Sequence, residues 1–124
     1  MIKHIVLFKF AANVTDKQIE QALQKLGNLK NTYIPQIKSF SFGKNSSPEN
    51  LNKGFNYVFI MEFLNSKDRA EYLKHPDHIK IANEDIMPLT EDGINSVIVF
   101  DYASEKDKSF GPAFKEAILS GKSK

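Results

Sequence analysis

The sequence predicts an α+β domain in the order βαββαβ: a four-stranded antiparallel sheet with two helices on one face, joined through the other face to a second copy. Three observations predict it. Four stretches alternate in polarity with the period of a strand, and between them two stretches carry helical signals, one a repeating apolar stripe and the other bounded by prolines. Several strands are also apolar on both faces, which a single layer of helices cannot cover.

The first strand is read over residues 2–10, "IKHIVLFKF", with Ile2, His4, Val6, Phe8 and Phe10 on one face and Ile5 and Leu7 on the other. Its lysines interrupt the apolar run and no small-residue cleavage site follows, so it reads as a strand and not as a leader peptide. "TDKQ" at 15–18 matches a capping box, and behind it Ile19, Ala22, Leu23, Leu26 and Leu29 make a buried helical stripe that ends before Pro35. "IKSFSFG" at 37–43 alternates again, with Ile37, Ser39 and Ser41 on one face and Phe40 and Phe42 on the other. The polar stretch 44–53 is a hairpin loop, and "FNYVFIMEF" at 55–63 is the third strand. Ser66 is placed to cap a short helix through Leu73, Pro76 opens a second helical segment closed near Pro88, and "INSVIVFDY" at 94–102 is the last strand. This order is the split arrangement of ferredoxin-like domains, and right-handed crossovers put both helices on one side of the sheet. The open side then calls for a homodimer, sheet against sheet.

Composition narrows the function classes. A chain of 124 residues is one domain, and without cysteine it has no disulfides, thiolate zinc sites or cysteine nucleophiles. That is compatible with a cytoplasmic location. A net charge of +2 is too small to argue for nucleic acid, and no apolar run reaches the length of a membrane span. The positive excess lies in the tail, 103–124, which is expected to be a solvated end dispensable for folding, with one short helix at 112–119. There Phe114, Ala117 and Ile118 share a stripe too small to hide a sheet.

Five segments in order carry a family resemblance: "KHIVLFKF" at 3–10, "FGKNSS" at 42–47, "GFNYVFIMEF" at 54–63, "YLKHPDH" at 72–78 and "VIVFDY" at 97–102. Over residues 2–102 the chain resembles the stress-responsive dimeric α/β-barrel proteins. The resemblance implies a ferredoxin-like protomer, sheets paired into a dimeric barrel, and a pocket between sheet and helices. Some members are stress-induced plant proteins, and one plant branch closes a linear poly-β-ketone by aldol condensation. Small monooxygenases and chlorite-dismutase-like haem proteins share the barrel, but their signatures are absent here. In the cyclase branch a histidine and a tyrosine at positions resembling His78 and Tyr72 do the chemistry, and a histidine resembling His4 helps line the pocket. The chain departs at Tyr57, where "GFNY" stands in place of a motif that often ends in histidine.

The residues themselves support roles without settling them. Pro76 pushes His75 out of the helical region, so His78 falls in the first turn of a new helix, whose dipole favours neutral imidazole while nearby Asp77 favours imidazolium, and the sequence does not rank the two. A neutral His78 suits a general base, and the Tyr72 phenol suits a hydrogen-bond donor to an oxygen that gains charge. His4, Val6, Tyr57 and Phe59 are expected to line the substrate pocket. The plainer reading makes "HPDH" a helix start and His4 a satisfied core histidine, with His75 serving the turn or facing solvent. No third ligand accompanies His75 and His78, so neither a metal nor any other cofactor is expected. The expected function is a small hydrophobic pocket for a carbonyl compound, with aldol-type cyclisation or related proton transfer. The alternative is a non-catalytic stress-responsive or small-molecule-binding protein.

Overall fold

A computed structural model describes residues 1–104. The expected helix at 112–119 lies outside the described residues. Four strands, β1 (Ile2–Phe8), β2 (Ile37–Lys44), β3 (Tyr57–Phe63) and β4 (Val97–Ala103), form one antiparallel sheet in the order β2-β3-β1-β4. Three helices, α1 (Asp16–Gly27), α2 (Ser66–Lys74) and α3 (Pro76–Ile81), complete a ferredoxin-like fold. No helix among the described residues is long and apolar enough to cross a membrane.

The start of α1 follows from its sequence. The Thr15 hydroxyl accepts from the Gln18 backbone N–H, and the Gln18 side chain accepts from the Thr15 backbone N–H, so two donors at the helix end are satisfied reciprocally. Its stripe of Ile19, Ala22, Leu23 and Leu26 is buried against the inner face of the sheet, where Val6, Phe8, Tyr57, Phe59, Met61 and Phe63 point inward. Each large side chain so buried contributes about 1.5–3 kcal/mol.

The structure differs from the sequence reading at several edges. Asn65, not Ser66, caps α2, its side chain accepting from the Asp68 N–H at 2.9 Å. β1 stops at Phe8, and Phe10 makes only an isolated bridge to Thr90. β4 begins at Val97 because residues 93–96 form a 3-10 turn, opened by Gly93 at a positive φ of 56°. A bulge at Lys38 shifts the register of β2, so Ile37 lies opposite Phe63 and is buried on the same side as Phe40 and Phe42, not beside Ser39. The segment from Pro76 toward Pro88 is not one helix: α3 runs into a wide π turn over Ala82–Ile86 and then a 3-10 turn over Met87–Leu89.

Among the described residues no helix lies on the outer face of the sheet. Ile5 is flanked by Ile60 and Phe100, and Leu7 by Val58 and Ile98, in one apolar band. A polar corner adjoins it, where Glu62 accepts from the Ser39 hydroxyl at 2.6 Å and from Lys3 Nζ at 3.2 Å. The Ser39 bond first, and Lys3 second, hold the Glu62 carboxyl below its ordinary range.

Gly27 ends α1 directly against the Phe40 ring, and a Cβ added there would overlap ring atoms. Helix propensity alone would make Gly27→Ala stabilising by up to about 1 kcal/mol. We expect the reverse, a loss of about 1–3 kcal/mol from overpacking, read from the urea midpoint at unchanged m-value.

Candidate functional site

The site is built on the break between α2 and α3. Pro76 disfavours helical backbone at the residue before it, and His75 accordingly sits at φ −66°, ψ 132°, in the extended region. His75 Nδ1 accepts the Asp77 backbone N–H at 3.1 Å, so this imidazole caps α3. The turn folds His78 back over Tyr72 of α2, with ring centroids 4.2 Å apart. His78 Nδ1 lies 3.0 Å from the Leu73 carbonyl oxygen. A carbonyl can only accept, so Nδ1 carries the hydrogen, and in the neutral ring Nε2 then keeps its lone pair.

Tyr72 is fully buried, with its ring against Phe63 at 5.3 Å and His4 at 6.0 Å. Its hydroxyl has no hydrogen-bond partner among the described residues. Leaving such a group unsatisfied costs about 1–3 kcal/mol, which makes this hydroxyl an available donor. Burial also pushes the phenol well above its ordinary pKa, which keeps the proton on the oxygen.

His4 approaches from β1. Its Nδ1 lies 2.8 Å from Asp101 Oδ1, and Arg69 Nη1 donates to Asp101 Oδ2 at 2.9 Å. The carboxylate is thus held by two donors, one from the sheet and one from α2, and the imidazole is oriented by it. Asp101 and Arg69 were not singled out from sequence. The available signal was a carboxylate within the apolar run "VIVFDY", but only strand register puts Asp101 directly opposite His4.

These groups share a cavity of about 340 Å³ between the sheet and the α2–α3 break, lined by His4, Tyr72, His78, Asp101 and mainly apolar side chains. Val6 and Phe59 line it as well. Tyr57 does not. It lies at the far end of β3, where its hydroxyl donates to Asp16 Oδ1 at 2.9 Å, and burial together with this bond raises its pKa. Another hollow, about 270 Å³ near the end of α1, holds Lys25 and Asp85, but these pair with each other at 3.1 Å. No three His, Asp or Glu side chains among the described residues converge as metal ligands.

A family model of the stress-responsive A/B barrel domain matches residues 2–104. The chain belongs to this family. Within it, a stress-response A/B barrel domain-containing protein of Arabidopsis thaliana is 33% identical over 101 residues, covering 82% of this chain and 87% of the relative. Olivetolic acid cyclase of Cannabis sativa is 25% identical over 105 residues, 85% of this chain and 98% of the relative. Among solved structures, a hydroxynitrile lyase from Passiflora edulis is similar with a TM-score of 0.72 at 25% identity, covering 85% of this chain and 94% of that one. A dimeric ferredoxin-like protein from Thermobifida fusca is similar with a TM-score of 0.63 at 25% identity, over 83% and 90% of the two chains.

In this A/B barrel domain His78 is kept neutral chiefly by burial, which lowers its pKa from 6.5, while the Leu73 carbonyl opposes the shift. The helix dipole is the smaller consideration, because α3 is only six residues long. Asp77, which favours imidazolium, faces His75 at 3.8 Å instead. Because the folded state resists protonation more than the unfolded chain, the His78 contribution to stability is intact above pH 6.5 and declines as pH falls below it. The NMR titration midpoint of His78 should therefore lie below 6.5, and His78→Gln should flatten the fall in stability between pH 7 and pH 5 (roughly the window a histidine governs).

Proposed function

We propose that the cavity binds a carbonyl compound with an apolar body and catalyses proton transfer next to the carbonyl, leading to aldol-type ring closure. One observation carries this reading: the buried, unpartnered Tyr72 hydroxyl beside a neutral His78, at the polar end of an apolar cavity. His78 Nε2 takes the proton from the carbon next to the carbonyl, and the Tyr72 hydroxyl donates to the carbonyl oxygen as it becomes an enolate. The enolate carbon attacks a second carbonyl of the same molecule, forming the carbon–carbon bond. The resulting alkoxide recovers the proton from the His78 imidazolium, so charge and atoms balance without a cofactor. His4, held by Asp101, lies within the same cavity and supplies a second polar contact for the substrate. That two proteins similar over most of this chain are a cyclase and a lyase supports a fold able to host such chemistry.

The same reading includes a homodimer through the outer sheet face. Phe100 is 63% exposed in the middle of the apolar band, and the similar Thermobifida protein is described as dimeric. Light scattering should give twice the chain mass, and Phe100→Lys should shift it toward the monomer.

The catalytic test uses a synthetic linear poly-β-ketone and follows the cyclised product by absorbance. His78→Ala should lower the rate by about 10²–10⁴, the range for loss of a general base, with the melting temperature nearly unchanged. Tyr72→Phe should lower it less while keeping the ring's packing. Binding without turnover by the native chain would make the cavity a carrier's, and unfolding of His78→Ala would make the imidazole structural.

A further inference from the structure

We infer, resting on the reading of the cavity as a site for a carbonyl compound, that Asn83 is a specificity-determining residue. Its side-chain amide holds a second, neutral oxygen of the bound compound at the outer end of the cavity. The polar side chains of the lining are His4, Tyr72, His78, Asn83 and Asp101. Asp101 is engaged by His4 on one carboxylate oxygen and by Arg69 on the other. The rings of His78 and His4 lie 4.2 Å and 6.0 Å from that of Tyr72, and these three form the inner polar group. Asn83 belongs to neither set. It is exposed, as are Leu73, Ile94 and Val99 of the same lining, and its amide makes no hydrogen bond among the described residues. Such an amide offers two N–H donors and a carbonyl acceptor to whatever enters.

The wide turn after α3 aims Asn83 at the site. At 3.6 residues per turn, position 83 of a continuous α-helix would lie about 140° around the axis from His78 and face away from it. Over Ala82–Ile86 the turn is wider, and the Met87 N–H donates to the Ala82 carbonyl, five residues back. The extra residue lets Ala82, Asn83, Ile86 and Met87 all border the cavity that His78 borders. Asn83 stands about 7 Å beyond His78 at helical rise. The remaining wall is mainly apolar, so a compound that satisfies both ends carries two polar groups on one apolar body. No lysine or arginine lines the cavity, while Asp101 brings a negative charge, so a carboxylate at the outer end would find no counter-charge. A ketone or hydroxyl oxygen suits the amide instead. In a poly-β-ketone the oxygens recur on alternate carbons. By holding one of them, Asn83 sets which carbonyl reaches Tyr72 and which carbon His78 deprotonates.

The test measures dissociation constants on the full chain by NMR, following the His78 ring signals as each probe is added. The probes are linear β-diketones whose alkyl tail ends in a hydroxyl, in a methyl group in its place, or in a ketone. In Asn83→Leu the advantage of the hydroxyl and ketone probes over the methyl probe should shrink at least about three-fold, the loss of one neutral hydrogen bond. Asn83→Asp should keep the advantage of the hydroxyl and lose that of the ketone, because a carboxylate only accepts. A turn merely disturbed by substitution would weaken all three probes alike and overturn the inference. Unchanged Leu23 methyl shifts establish that the core is intact in both variants. Binding of every probe with the same ratios in native and variant chains overturns the role of Asn83 and leaves the cavity reading standing. If no probe moves the His78 signals of the native chain, the cavity reading falls and Asn83 with it. Tighter binding of a carboxylate-ended probe than of the hydroxyl probe overturns the neutral oxygen.

Discussion

A proline cannot follow a residue in helical conformation without steric conflict, and the arrangement of the site depends on that one restriction at His75–Pro76. The break it makes sends α3 back across the end of α2. His78 thereby reaches the Leu73 carbonyl five residues earlier and lies against the Tyr72 ring. An unbroken helix would set positions 72 and 78 well over a turn apart along its axis, with no reason for their rings to meet. The wide turn that follows, Ala82–Ile86, brings Ala82 and Ile86 to the same cavity. Each polar group then has its hydrogen-bonding state decided by a neighbour: Leu73 for His78, Asp101 for His4, and burial for Tyr72.

The sheet imposes a second constraint. Its inner face is filled by α1 and by aromatic side chains over β2, β3 and β1, while β4 stands at the edge. Of β4 only Val97 packs against the core cluster, and the cavity lies between that edge of the sheet and the α2–α3 break. The same strand order brings Asp101 of β4 beside His4 of β1, so the hydrogen-bonded pair joins the edge strand to its neighbour within the cavity wall.

Much of the fold was legible because its signals are local. The capping box at Thr15, the stripe of α1, the alternation of β1 and β3 and the break at Pro76 each depend on residues within a turn or two of one another. Errors arose where a neighbour's geometry intervened. The bulge at Lys38 reverses the face of Ile37, and the 3-10 turn before Val97 delays β4, because each is set by pairing with another segment and not by local pattern.

The site divides along the same line. From sequence alone came the candidates His4, Tyr72 and His78, the extended His75, and the excess of apolar strand surface. Only the tertiary structure brings those three together around one cavity, sends the Tyr57 hydroxyl to Asp16 instead, and adds Asp101 and Arg69. Strand register and the angle between α2 and α3 decide these contacts, and both are set by packing between residues far apart in the chain. The chain's own order determined which groups were available and which could not be helical. Which of them share a cavity, and which nitrogen keeps its lone pair, was decided by what each met on folding.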